Sequence, residues 1–121
     1  MRYDLIFITA ALICLLSGEA LGIWMGVAHD FTFAPVHAHL NLLGWATLAL
    51  FGLMHRAYPA LSASRLAGAQ CARAVASSIA MPAGIGFAMM TQNPAIAIVA
   101  ALGVLAATAT FLAMFMRKAR A

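Results

Sequence analysis

The chain of 121 residues is 65% hydrophobic, carries charge on only 8% of its residues and has a net charge of +4. Soluble domains usually carry about 25% charged residues, so this composition excludes a water-facing surface over most of the chain and predicts a protein embedded in lipid. The basic residues are thinly spread, which excludes a nucleic-acid-binding patch. Since each span needs roughly 20 apolar residues, the length allows four transmembrane helices and no soluble domain.

The hydropathy pattern predicts a single all-α transmembrane domain over residues 1–121. Its four spans are expected at about residues 5–27, 35–57, 66–90 and 94–116. Because the connections between them are short, consecutive helices are expected to be antiparallel neighbours in a four-helix bundle.

The first span contains three glycines at four-residue spacing, Gly18, Gly22 and Gly26. In lipid this spacing makes a flat strip against which another helix or a planar ligand packs closely. Glu19 lies beside the strip, and a carboxyl group at that depth is expected to be protonated, paired or part of a proton path. We expect Glu19 to point into the bundle, with Asn41 as a polar partner.

The second span carries His37, His39 and Asn41 in its first two turns and His55 at its other end. Ionisable residues inside a membrane are costly, and they indicate function by default. At about 100° per residue, a regular helix places His37, Asn41 and Gly44 on one face, whereas His39 points roughly 200° away from His37. The two histidines are therefore expected to serve different neighbours, unless an irregular first turn lets them converge.

Two kinds of cofactor fit these residues. Gly44 and Gly52 lie on the His37 face, where they are expected to leave room for a flat macrocycle such as a haem. A soft imidazole–thioether site would instead suit copper or zinc, or the axial pair of a haem. Its members would be four side chains near the same end of the bundle: Met25, His29, His37 and His39. A purely structural role, in which His37 and Asn41 hydrogen-bond between helices, is the remaining alternative.

The orientation follows from the Lys and Arg residues, because the first and third loops contain none. All seven lie before the first span, around the second loop or after the fourth span: Arg2, Arg56, Arg65, Arg73, Arg117, Lys118 and Arg120. The positive-inside rule then places both termini in the cytoplasm. The sequence therefore predicts a multi-pass protein of the inner (cytoplasmic) membrane.

A family resemblance is carried by residues 37–54, which read HAHLNLLGWATLALFGLM, and by residues 22–26, GIWMG. These runs resemble short membrane proteins classed with subunit I of the haem-copper oxidases, especially the cbb-type branch. The resemblance covers the first two spans, and the last two match only in hydropathy. It implies that a histidine near the outer face, His37 or His39, ligates a low-spin haem b.

Subunit I of that family has twelve helices in three arcs of four, and this chain is one arc long. The family's other ligands lie on later helices, so the resemblance excludes a complete oxygen-reducing site in one chain. A homotrimer that mimics the twelve-helix bundle is the favoured way to complete a haem site, and a dimer that shares one haem is the alternative. The cofactor-binding residues would be Gly22, Met25, His37, His39, Asn41 and Gly44.

The leading hypothesis is thus a haem-binding membrane protein for electron transfer or for haem or gas sensing, with an unidentified redox partner. Two other hypotheses stay open. One is a copper or zinc binding or assembly protein without haem, and the other is a structural membrane subunit.

Overall fold

The computed structural model describes residues 1–118, so Arg120 of the predicted basic tail lies outside the described residues. This part of the chain is all-helical and contains four helices that are long and apolar enough to cross a membrane. They are α1 (Tyr3–Ala28), α2 (Ala34–Ala57), α3 (Ala67–Thr91) and α4 (Ala95–Lys118). Helices form here because backbone groups in lipid have to be hydrogen-bonded within their own segment. Each helix begins and ends within two residues of its predicted span.

Residues in the left-handed conformation end two of the helices. His29 (φ 52°) follows α1, and its N–H donates back to the Met25 carbonyl. Gln92 (φ 60°) ends α3 in the same way. The next residue, Asn93, caps α4, since its side-chain oxygen accepts a hydrogen bond from the Ala95 N–H at 3.1 Å. The short connection between α3 and α4 therefore supplies the cap of the following helix.

The helices pack as two pairs, α1 against α2 and α3 against α4, and α2 also contacts α3. At one end of the bundle α1 begins, α2 ends and a 3₁₀ turn (Pro59–Ala63) leads into α3. We call this end the basic end, because Arg2 and Arg56 lie there. An aromatic cluster joins three helices close to it: Phe51 stacks on Phe111 with ring centroids 4.3 Å apart, and Phe7 meets Phe51 edge-on.

Large apolar side chains on all four helices point away from the core. They include Leu16 (67% exposed), Leu50 (59%), Met90 (76%) and Val99 (69%). An apolar surface of this extent has to be covered by lipid or by other protein. The fold is therefore that of a multi-pass membrane protein.

The helix α2 is irregular in its middle. It consists of an α-helical turn, Ala34–His39, a π-helical segment, Leu40–Thr47, and an α-helix, Leu48–Ala57. The Thr47 hydroxyl donates to the Leu42 carbonyl, five residues earlier, at 2.8 Å. Sequence analysis left open an irregular first turn that would bring the two histidines together. The irregularity instead begins after His39, so the turn that carries both histidines is α-helical.

Candidate functional site

His37 joins α2 to α1. Its Nδ1 lies 2.8 Å from the Gly18 carbonyl oxygen. Because a carbonyl oxygen only accepts, Nδ1 carries the proton and Nε2 keeps its lone pair. That lone pair faces the Asn41 amide nitrogen at 3.3 Å, so Asn41 donates to it. Both hydrogen-bonding positions of the His37 ring are thus filled by the protein itself.

The glycines of α1 make room for this contact. A Cβ added at Gly22 would lie 2.9 Å from the His37 ring, and one at Gly18 would lie 2.7 Å from the Asn41 side-chain oxygen. Gly26 faces open space, with nothing within 4 Å of such an atom. The glycine strip is therefore a helix-packing surface at Gly18 and Gly22, and it is filled by side chains of α2.

The expected room for a macrocycle on the His37 face of α2 was wrong. A Cβ at Gly44 would lie 2.8 Å from the Cys14 sulfur, and one at Gly52 would lie 3.1 Å from the Asp4 carbonyl oxygen. The sequence showed correctly that these glycines share a face with His37. It did not show that α1 packs directly onto that face and closes it.

Glu19 does not point into the bundle, which corrects a second expectation. The residue is exposed at the surface of the chain, whereas its neighbour Gly18 is buried. Asn41, its expected partner, is bonded to His37 instead. A one-residue step on a helix is about 100°, which is enough to move a side chain from the interface to the lipid face.

His39 faces a different part of the bundle. Its Nδ1 lies 2.7 Å from the carbonyl oxygen of Pro35, one turn earlier in the same helix. The same argument as for His37 places the proton on Nδ1 and the lone pair on Nε2. Within residues 1–118 the structure gives this Nε2 no hydrogen bond, so it is the nitrogen that a ligand would meet.

The His39 ring lies in an apolar groove of about 390 Å³ between α2, α3 and α4. The groove is open at the surface of the chain. Its other lining residues include Leu42, Met81, Val104, Leu105 and Thr108. A single imidazole with a free nitrogen in an apolar groove suits a planar apolar ligand better than a small hydrated ion.

The other candidate metal ligands are not gathered around this imidazole. His29 is exposed and serves as the left-handed cap of α1, while Met25 is buried, at 4% exposure. Beside His29, the Thr32 hydroxyl and N–H donate to Asp30, which lowers the pKa of that carboxyl. Among the described residues there is no group of three or more His, Cys, Asp or Glu side chains placed to hold a metal ion.

The basic end holds a polar cluster that was not predicted from the sequence. Arg2 forms two hydrogen bonds to the Asp4 carboxylate, at 2.9 and 2.7 Å, and these raise the pKa of the guanidinium. Arg56 lies 3.6 Å from the same carboxylate. The buried ring of His55 lies next to them, with Nδ1 2.9 Å from the Ser62 hydroxyl. Two features of the sequence could have indicated this cluster. Asp4 lies two residues from Arg2, and Arg56 lies next to His55.

Comparisons of this chain with protein-family models, with curated proteins and with solved structures find no match. The chemistry of the site is therefore argued from its geometry. The His39 imidazole is held by its own helix, lines an apolar groove and has no hydrogen bond at Nε2 within residues 1–118. The His37 imidazole has both ring nitrogens engaged in contacts with α1 and α2.

Proposed function

We propose that this protein binds haem b at a groove completed by another copy of the chain, with His39 as an axial ligand. The observation that carries the proposal is the hydrogen bond from His39 Nδ1 to the Pro35 carbonyl at 2.7 Å. It holds the ring in the tautomer in which Nε2 is the electron-pair donor. A histidine that ligates a metal almost always donates its other ring N–H to a carboxylate, a backbone carbonyl or a water.

The residues around His39 fit the group. An apolar groove keeps water from the iron and covers part of the macrocycle, while the open side leaves space for a neighbouring subunit. Bound there, a haem would supply a one-electron couple and an iron that binds small gases, which supports electron transfer or haem or gas sensing.

A second axial histidine would have to come from outside the chain. His37 is held between Gly18 and Asn41 on the opposite side of α2. His55 is 16 residues from His39, about 24 Å along the helix axis. Two copies that face each other would each supply one imidazole, and three copies would form a closed ring of twelve helices like the bundle that residues 37–54 resemble.

The proposal includes the orientation of the bundle. Both termini, together with the turn between α2 and α3, would lie in the cytoplasm, with antiparallel neighbouring helices in the inner membrane. The support is the distribution of charge: Arg2, Arg56, Arg65, Arg117 and Lys118 are all exposed at or beyond the helix ends on that side.

The test is a reduced-minus-oxidised absorption spectrum of the purified protein after reconstitution with haem b. We expect the wild type to show a six-coordinate haem spectrum and His39→Ala to lose it. His37→Ala should keep haem, because its ring is engaged in helix packing. His29→Ala, an exposed loop histidine, is the matched control and should behave as the wild type.

Two results would refute the proposal. One is a wild-type protein that stays colourless after reconstitution. The other is a haem spectrum that survives in His39→Ala but disappears in His37→Ala. Metal analysis of the same preparations covers the metal-site alternative, since copper or zinc bound in place of haem would also count against the proposal.

A further inference from the structure

A cavity of about 310 Å³ opens at the basic end of the bundle, far from His39 along α2. Its walls come from the start of α1, the end of α2 and the 3₁₀ turn. The polar side chains that line it are Arg2, Asp4, His55, Arg56 and Ser62. Elsewhere the helices present mostly apolar surface, so this polar cavity at the basic end is a candidate binding site.

The charges of the cavity favour an anion. Two guanidinium groups and one carboxylate leave a net charge of +1. Arg2 uses two of its five N–H donors on Asp4, and Arg56 meets the same carboxylate loosely, at 3.6 Å. The remaining donors are at the rim, where the side chains of Arg2 and Arg56 are 60% and 72% exposed. The positive end of the α1 dipole adds to this potential.

The environment of His55 independently supports a ligand in this cavity. The residue is only 3% exposed, yet it lines the cavity. Its Nδ1 is paired with Ser62, but its Nε2 is buried without a hydrogen-bond partner among the described residues. A buried polar atom without a partner requires an explanation, and a water, ion or ligand in the adjoining cavity supplies one.

The two other acidic side chains, both within residues 1–118, do not supply this anion. Asp30 lies at the opposite end of α1, where it is bonded to Thr32. Glu19 is 15 residues from Asp4, about 22 Å along the helix. A second copy of this chain in the same orientation would bring neither of these two side chains to the level of Arg2 and Arg56, so neither of them supplies the anion.

We propose that this cavity binds a phosphate group, carried by the headgroup of an anionic phospholipid or by a free phosphate. Arg2 and Arg56 hold its oxygens, with Ser62 and His55 behind them. The helix ends lie at the level of lipid headgroups, and basic pockets between transmembrane helices take up anionic headgroups there. This inference does not depend on haem binding.

The experiment is native mass spectrometry of the full chain released from nanodiscs of phosphatidylcholine mixed with phosphatidylglycerol. Three single substitutions are compared with the wild type. Arg56→Gln leaves the Arg2–Asp4 pair intact and should lower lipid retention about fivefold. Asp4→Asn removes the competing carboxylate and should raise retention by about the same factor. Arg65→Gln, an exposed arginine outside the cavity, should change nothing.

The opposite signs for Arg56→Gln and Asp4→Asn separate binding from a structural role. An ion pair that served only packing would make both variants less stable without shifting retention in opposite directions. If Asp4→Asn fails to fold, Arg2→Gln with Arg56→Gln replaces it, and we expect a loss of about 25-fold.

A second arm uses inorganic phosphate with the protein in neutral detergent, followed by ³¹P NMR. If the protein retains phosphatidylglycerol and inorganic phosphate displaces it, the ligand is a lipid headgroup. If the protein binds phosphate but shows no preference for phosphatidylglycerol, the ligand is a free phosphate. Equal retention of phosphatidylglycerol in all variants, together with no phosphate binding, overturns the proposal.

Discussion

A close backbone contact between α3 and α4 gives a prediction whose size can be worked out from the structure. Gly84 is buried, and a Cβ placed there would lie 2.7 Å from the Ala97 nitrogen and 3.0 Å from its Cα. Both atoms belong to the backbone of α4, so no side chain can rotate away. To restore ordinary contact at 3.4 Å, the two helices would have to separate locally by about 0.7 Å.

Two terms decide the effect of Gly84→Ala. Overpacking a well-packed contact costs about 1–3 kcal/mol, and the upper part of this range applies because rigid backbone has to move. Alanine in place of glycine inside a helix returns about 1 kcal/mol. We therefore expect the free energy of unfolding to fall by about 2 kcal/mol.

Gly26→Ala is the matched control. It makes the same chemical change in α1, where nothing lies within 4 Å of the added atom. Its unfolding free energy should stay the same or rise by up to about 1 kcal/mol. The measurement is unfolding in mixed micelles, followed by helical circular dichroism. If Gly84→Ala is no less stable than Gly26→Ala, the close contact of the two helices is not real.

Three further predictions concern single polar contacts. Gln70→Leu should change the unfolding free energy by less than about 1 kcal/mol. The substitution loses one hydrogen bond of 3.3 Å to the Ala107 carbonyl, but it also removes a buried side-chain oxygen that has no partner within residues 1–118, and these two effects offset each other. Thr32→Val should raise the pKa of Asp30 towards its ordinary value, as measured by NMR titration. In the wild type the pKa of Asp30 is lower in the folded than in the unfolded state. The ionised Asp30 carboxylate therefore stabilises the fold above its unfolded pKa, and this stabilisation is lost as the pH falls through the folded pKa. His37→Ala should lower the unfolding free energy by about 1 kcal/mol in the same micelles, since it breaks an interhelical hydrogen bond. An unchanged stability would show that this bond does not contribute.

The contrast between His37 and His39 shows how far the sequence carried the candidate site. Their spacing on an α-helix predicts that they point to different sides, and the structure places one ring against α1 and the other in the α2–α3–α4 groove. Their spacing does not say which side is closed. That depends on how α1 packs onto α2, with Cys14 against Gly44 and the two glycines Gly18 and Gly22 beside Asn41 and His37.

Glu19 and Gly18 show the same limit at closer range. The two residues are neighbours in α1, and only Gly18 faces α2. The rotation that puts Gly18 inside and Glu19 outside is set by the fit of Asn41 and His37 against the glycine strip. A pattern of small residues identifies a helix-packing surface but not where that surface ends. The pattern therefore does not decide whether a neighbouring polar residue faces the partner helix or the lipid.

The sequence by itself determined the number of helices long and apolar enough to cross a membrane and their approximate ends. It does so because a segment in lipid has to satisfy its own backbone hydrogen bonds, and an apolar run of about 20 residues does this as a helix. The tertiary structure alone decided which imidazole keeps a free nitrogen, where the groove lies and how Asp4, Arg56 and His55 meet at the basic end. These outcomes depend on contacts between residues far apart in the chain. How two helix surfaces fit together cannot be derived from the sequence of either helix alone.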